Sequence, residues 1–278
     1  MRERQHSHQE PVGAAARGAP ALTVENVTVR FGGLTAVSDL SLRAEGGTIT
    51  ALIGPNGAGK TTTFNACTGV VRTATGRVRL GNKRLDHLST PGRAAAGLGR
   101  TFQRMELFDS MTTAENVAMG PEGVLSSRRP WGQFWAPRAE RREIAERTRA
   151  AIARCGLEAV GDRRVRDLST GQRRLVELAR AIASPFRFLL LDEPSSGLDV
   201  HETEEFGEVL AGHVRDTGIG VLLVEHDMAL VADVCSQVYV LDFGKLIWSG
   251  PTAEAMTSET VRAAYLGGDV GEEELADA

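Results

Sequence analysis

The sequence has no long apolar run. Its longest, "FLLL" at 188–191 and "VLLV" at 221–224, fall far short of the roughly 20 residues that span a bilayer. Any membrane role is therefore expected to come through a partner. Cysteine is scarce: Cys67, Cys155 and Cys235 form no close pair and no CxxC spacing, so they read as free thiols in a reducing compartment. There is no basic excess either. A net charge of −4 argues against a general nucleic-acid binder. Lysine is almost missing, with only Lys60, Lys83 and Lys245 among 32 basic residues. Beside so much Ala and Gly this reads as composition bias, and it makes Lys60 less of an accident. The first residues hold no apolar stretch, so no secretory signal is expected and the chain reads as cytoplasmic.

What is present is ordinary for a folded protein. The 278 residues, 42% hydrophobic and 24% charged, suffice for one large domain or two modest ones. Residues 1–20, without periodicity and rich in Ala, Gly and Pro, read as a mobile tail in which His6 and His8 are solvated. "LTVENVTVRF" from Leu22 reads as a half-buried strand, "TITALIG" (48–54) as an apolar strand and "KTTTFNACTG" (60–69) as a helix. "TGRVRLGNKRL" (75–85) is hairpin-like. "MTTAENVAM" (111–119) reads as a short helix with Thr112 or Thr113 as its cap. Residues 120–138 form the one turn-rich region and carry two of the three tryptophans. A polar helix follows, with an apolar stripe of Ile144, Ala151 or Ile152, and Cys155 and an i,i+4 pair of Glu143 and Arg147. From 188 onward, apolar strands alternate with helices, the pattern of a parallel sheet buried on both faces. The acidic end, 267–278, is expected to be disordered.

Three stretches carry chemistry. The first, Gly54-Pro55-Asn56-Gly57-Ala58-Gly59-Lys60-Thr61, fits GxxxxGK[ST] between a strand and a helix. Glycines let backbone wrap a polyphosphate without a Cβ in the way, and the freed N–H groups and helix N-terminus attract the anion. Lys60 can reach the β- and γ-phosphates and the Thr61 hydroxyl can bind Mg²⁺. The second, "FLLLDEP" (188–194), ends an apolar strand on two carboxylates. Such a pair alone is usually a solvated strand end. After a phosphate loop it suggests two tasks: Asp192 for the Mg²⁺ shell, Glu193 to orient or deprotonate an attacking water. The third is His226 in "VLLVEHD". A lone histidine is more often a structural hydrogen-bonder than a catalyst, but here it would share the γ-phosphate end of the cleft with Glu193. Glu225 and Asp227 beside it are less convincing as catalysts.

Together these stretches are similar, over about residues 21–250, to the ATP-binding cassette (ABC) ATPases, with every motif in the family's order. Gly54–Thr62 resembles the Walker A loop, Gln103 in "GRTFQ" (99–103) the Q-loop and "LSTGQ" (168–172) the signature motif. Phe188–Glu193 resembles Walker B, "SSGLD" (195–199) the D-loop and His226 the switch histidine. Phe31 stands where the family stacks an aromatic on adenine, and equally where a core residue would end a strand.

The resemblance implies an α/β P-loop NTPase fold over 21–266: a RecA-like core, an antiparallel β subdomain and a helical subdomain at about 104–183. It implies ATP and Mg²⁺ as ligands. Gly54 to Thr62 and Phe31 would bind the nucleotide, Thr61, Gln103 and Asp192 the metal, and Glu193, His226 and Gln103 would serve hydrolysis. It also implies a second cassette, identical or paralogous, packed head to tail. Ser169, Gly171 and Gln172 of one chain would then close over the phosphates bound by the other. Ser169 precedes a helix expected at Gln172–Ala183, so its hydroxyl, the Gly171 N–H and the helix dipole can all point at an anion. Without the Walker motifs, an ordinary cap would be the preferred reading. Thr170 replaces the family's commonest glycine, which leaves open how tightly the pair closes.

"RFGGLTAVSDLSL" (30–42), "LFDSMTTAENV", "VEHDMALVADVCSQVYVLDFGKLIWSG" and "YLGG" resemble one branch, the ATP-binding subunits of branched-chain amino-acid importers. That branch implies transmembrane permease partners, an extracytoplasmic solute-binding protein acting indirectly, and a peripheral place on the inner face of the cell membrane. Cassettes of importers for amides or urea, of exporters, and a soluble iron–sulphur-assembly ATPase are the alternatives.

Overall fold

The computed structural model describes residues 19–101, 106–126 and 137–264. Gln103, both tryptophans of the turn-rich region, the acidic end and all but the last two residues of the expected N-terminal tail lie outside these.

The apolar residues of the first strand are unevenly spaced: Leu22 and Val24, then Val27 and Val29. A period of two cannot absorb an odd step, and a bulge takes it up. β1 (Leu22–Phe31) pairs antiparallel with β2 (Leu34–Ala44), and the register shifts between Val24 and Val27. There Asn26 adopts φ 49° and donates from Nδ2 to Asp39 Oδ1 at 3.0 Å. All four apolar residues stay buried. β4 (Thr75–Leu80) lies on the other edge of β1, and β5 (Lys83–Arg84) completes a four-stranded antiparallel sheet.

The second sheet contains β3 (Ile49–Ile53), β6 (Leu98–Arg100), β7 (Phe188–Asp192), β8 (Gly220–Val224), β9 (Gln237–Asp242) and β10 (Lys245–Pro251). Their order is β10-β9-β3-β8-β7-β6, parallel except for β10. Alternate residues feed two cores. Leu52, Phe188, Leu190, Leu222 and Val224 pack toward the antiparallel sheet and Phe64. Ala51, Ile53, Leu189, Leu191, Val221 and Leu223 pack toward helices on the opposite face. At roughly 1.5–3 kcal/mol per buried large apolar side chain, these strands need no polar face, which is why "FLLL" and "VLLV" are unbroken.

The helices are α1 (Lys60–Thr68), α2 (Thr90–Ala95), α3 (Thr113–Ser126), α4 (Arg138–Arg154), α5 (Thr170–Ala183), α6 (Val200–Thr217), α7 (Met228–Val234) and α8 (Thr252–Ala255). α3, α4 and α5 pack on one another. Thr112 rather than Thr113 caps α3: its Oγ1 accepts from the Glu115 N–H at 3.2 Å, and Glu115 Oε2 accepts from the Thr112 N–H at 2.8 Å. α3 runs on through Gly120 and Pro121, where the sequence predicts a turn. Burial of Val117, Val124 and Leu125 outweighs the local breakers, and Gly120 lies against the Arg180 carbonyl, leaving no room for a Cβ. In α4, Ile144, Ala151 and Ile152 are buried, and Arg147 pairs with Glu143 at 2.9 Å. All three cysteines are free and buried, and burial pushes each thiol up to about 12. Among the described residues no helix is long and apolar enough to cross a membrane.

His213 on α6 is buried, and its Nδ1 has no hydrogen-bond partner among the described residues. Burial, reinforced by the Arg154 charge, lowers it from 6.5 to about 4. The unfolded chain therefore takes up this proton at higher pH than the folded chain does. Stability is fully present above pH 6.5 and falls as the pH drops towards 4, by roughly 3 kcal/mol in all. In His213→Leu, the loss of unfolding free energy between pH 7.5 and pH 5 in urea titrations should shrink by roughly 2 kcal/mol. An unchanged difference would rule this group out.

Candidate functional site

β3 delivers the chain into the glycine loop, and α1 begins at Lys60. Gly54 has φ 146°, and a Cβ there would collide with the Leu241 carbonyl. No other residue fits, and Gly54→Ala carries a strain on the order of 1–3 kcal/mol. Pro55 and Gly59 are half-buried, Ala58 is buried, and Asn56, Gly57 and Thr61 are exposed at the tip. Gly59 caps α1 without a side chain, so the first N–H groups of the helix remain available to an anion. Lys60 is 6% exposed, and its Nζ donates to the Gly54 carbonyl at 2.7 Å and the Pro55 carbonyl at 3.0 Å. Burial lowers its pKa, opposed by the charges of Glu193 and Asp192. Arg100, which donates to both Asp192 Oδ2 and Asn65 Oδ1, ties the end of β7 to the helix that follows the loop.

Asp192 closes β7 and is 1% exposed. Burial raises its pKa, while the Arg100 guanidinium, which donates from Nη2 to Oδ2 at 3.0 Å, pulls it back. Oδ1 has no hydrogen-bond partner among the described residues. Glu193 follows with φ 50°, uncommon for a non-glycine residue, and its N–H bonds to the Val224 carbonyl at 2.8 Å. This strained turn brings Oε1 to 3.0 Å from His226 Nε2. His226 leaves the end of β8, next to β7 in the sheet, so the two are neighbours by topology.

Two residues, Glu225, set aside as a catalyst, and Arg100, not singled out by the sequence, hold this arrangement. Glu225 is 2% exposed and accepts from the Ser195 N–H at 2.9 Å and the His226 N–H at 3.1 Å. Burial raises its pKa and the backbone donors oppose it. Arg100 ends β6 and grips Asp192. The only signal for either was a charge at the end of an apolar stretch. Asp227, also set aside, caps α7 through the N–H groups of Ala229 and Leu230.

"LSTGQ" forms the head of α5, which starts at Thr170, two residues earlier than expected. Ser169 is its cap: Oγ accepts from the Gln172 N–H at 3.2 Å, and Gln172 Oε1 accepts from the Ser169 N–H at 3.2 Å. The hydroxyl proton of Ser169 stays available, and Ser169 and Thr170 are exposed. Gly171 is buried against the Glu202 carboxylate, where a Cβ would not fit. Arg174 donates from Nε and Nη2 to the Ser196 carbonyl at 3.2 and 3.0 Å. The signature turn and the 195–202 segment are thereby joined. Ser169 and Gln172 bond each other within the head of α5. Phe31 is 50% exposed at the end of β1, so it is not a core residue. Thr62 is half-buried in the first turn of α1.

The residues fit a hard cation beside a polyphosphate. Among the described residues no cluster of three or more His, Cys, Asp or Glu is arranged to hold a metal. Mg²⁺ needs no such cage, since it takes one or two protein oxygens and completes its shell with phosphate and water. The orphaned Oδ1 of Asp192 and the Thr61 hydroxyl are such oxygens.

A family model described as "ABC transporter" matches residues 37–196. The high-affinity branched-chain amino acid transport ATP-binding protein LivG of Salmonella typhimurium is 36% identical over 250 residues, covering 89% of this chain and 98% of its own. The lipopolysaccharide export system ATP-binding protein LptB of Haemophilus influenzae is 35% identical over 246 residues, 88% and 97% of the two chains. Among solved structures, the ATP-binding cassette MJ1267 of an ABC transporter superposes with a TM-score of 0.78 at 28% identity, covering 89% of this chain and 99% of that one.

Proposed function

Since the chain belongs to the ABC transporter family, whose ATP-binding subunits hydrolyse ATP to power transport, we propose that it energises an importer of branched-chain amino acids through the loop at 54–62 and the carboxylates of β7. One observation carries the site: buried Lys60, buried Asp192 and the Glu193–His226 pair meet at the ends of adjacent parallel strands.

Residues 54–62 would wrap the ATP phosphates, with Lys60 exchanging its two loop carbonyls for phosphate oxygens. Phe31 would stack on the adenine. Thr61, Asp192 and Gln103 would hold Mg²⁺, which when bound neutralises phosphate charge. Glu193 would take the proton of the attacking water, and His226 would hold Glu193 in place at the γ-phosphate. Ser169, Gly171 and Gln172 of a second cassette, identical or paralogous, would close the site. The exposure of Ser169 at the head of α5 supports that arrangement. The dimer would place the chain at the inner face of the cell membrane under permease subunits. A cleft of about 290 Å³ between the end of β6 and helices α3 and α5 supports the docking, with Phe108 48% exposed on its rim beside Glu106 and Arg180. The helical subdomain, set at about 104–183, would carry the motion.

The choice of solute rests on the LivG similarity, and the LptB similarity favours export as the second reading. Affinity purification of the tagged chain from detergent-solubilised membranes separates them. Multi-spanning permeases that bind a leucine-loaded solute-binding protein are the expected result. Permeases that bind none favour export, and recovery without any permease counts against both.

A further inference from the structure

Arg100 is a buried cation that touches the phosphate-loop helix and the Asp192 carboxylate at once. Its side chain is 7% exposed, against 1% for Asp192. Nη2 donates to Asp192 Oδ2 at 3.0 Å, while Nη1 donates to Asn65 Oδ1 at 2.5 Å and lies 3.5 Å from Thr68 Oγ1, both on α1. The guanidinium carbon stands 5.7 Å from the centroid of the Phe64 ring, also on α1. One planar group therefore fixes the end of β7 against the helix that Lys60 and Thr61 begin. It also anchors the end of β6, three residues before Gln103.

A carboxylate held at one oxygen has its other oxygen aimed. With Oδ2 clamped, Oδ1 is buried and has no partner among the described residues. We propose that Arg100 is the positioning residue of the metal site, clamping Asp192 Oδ2 so that Oδ1 is presented as a Mg²⁺ ligand. This rests on the assignment of Asp192 to the metal. The geometry asks for arginine specifically. Its fork reaches Asp192 on one side and Asn65 on the other, and a lysine ammonium is a single point that cannot keep both.

The test uses the full chain, Asp192→Asn, Arg100→Lys and Arg100→Met. For each, the dissociation constant of a fluorescent ADP analogue is measured in EDTA and across a Mg²⁺ titration. Groups that orient a metal ligand typically change metal affinity by 10–100-fold. Arg100→Lys should raise the Mg²⁺ half-saturation roughly tenfold, with the affinity in EDTA essentially unchanged, and Arg100→Met should raise it further. Should Arg100→Met fail to fold, Arg100→Lys decides alone. If Asp192→Asn keeps the parent's Mg²⁺ response, the assignment of Asp192 fails. If Asp192→Asn loses it while the folded Arg100 variants keep it, Arg100 is a structural bridge and the proposal is overturned. An equal weakening with and without Mg²⁺ overturns it too, since that marks a general distortion.

Discussion

Glu193→Gln is expected to reduce ATP hydrolysis by roughly 10²- to 10⁴-fold, the usual contribution of a positioned general base, while nucleotide still binds. The exchange is nearly isosteric. Gln can keep the 3.0 Å contact with His226 Nε2, because an amide offers a donor and an acceptor to whichever tautomer is present. It can also sit at the same φ of 50° with a similar strain. What it cannot do is accept a proton. Removing the charge also relieves Asp192, whose burial is made harder by the neighbouring carboxylate, so Mg²⁺ and nucleotide should bind at least as well. With chemistry blocked and binding intact, ATP should hold two cassettes together. Phosphate release and gel filtration in saturating Mg²⁺ and ATP read the two effects separately, and undiminished hydrolysis would overturn the role given to Glu193.

Lys60→Met should weaken ATP binding by roughly 10²-fold, the equivalent of one or two charge-assisted hydrogen bonds to phosphate. Global stability should change little. Burial lowers the lysine's pKa, so the folded chain gives up this proton more readily than the unfolded chain, and the ammonium form is disfavoured by folding. Stability on this account rises with pH as Lys60 loses its proton, up to the ordinary value near 10.5. Methionine removes that burden but strands the carbonyls of Gly54 and Pro55. The two effects oppose, and the net change should stay within roughly 2 kcal/mol. Calorimetric titration with ATP, beside urea unfolding, gives both numbers; ATP affinity within threefold of the parent would remove Lys60 from the site.

The parts legible in the sequence were those whose pattern is local. β3, the loop and α1 follow one another without interruption, and the apolar runs at β7 and β8 announce strands that are buried on both faces. β6 was passed over because three residues carry no period; it exists because its neighbour β7 pairs with it. The extension of α3 beyond residue 119 was hidden by Gly120 and Pro121, whose local preference yields to contacts with α5. Arg100 and Glu225 escaped for a related reason. A buried charge acquires meaning from its partner, and the partner of Arg100 lies 92 residues away. At the signature turn Ser169 does cap α5, the reading that the sequence favours only without the Walker motifs, and nothing in the local pattern hints that Gly171 presses on Glu202.

Glu225 bears on which sequences this fold will accept. Each of its two oxygens receives a backbone N–H, one from Ser195 and one from His226, in a place almost closed to water. Glutamine has one acceptor where two are required, aspartate is a methylene too short to span the same gap, and no neutral side chain supplies two such oxygens. Any other residue at position 225 therefore strands at least one of these buried N–H groups, at a cost of roughly 1–3 kcal/mol, unless the loops at 195 and 226 drift together.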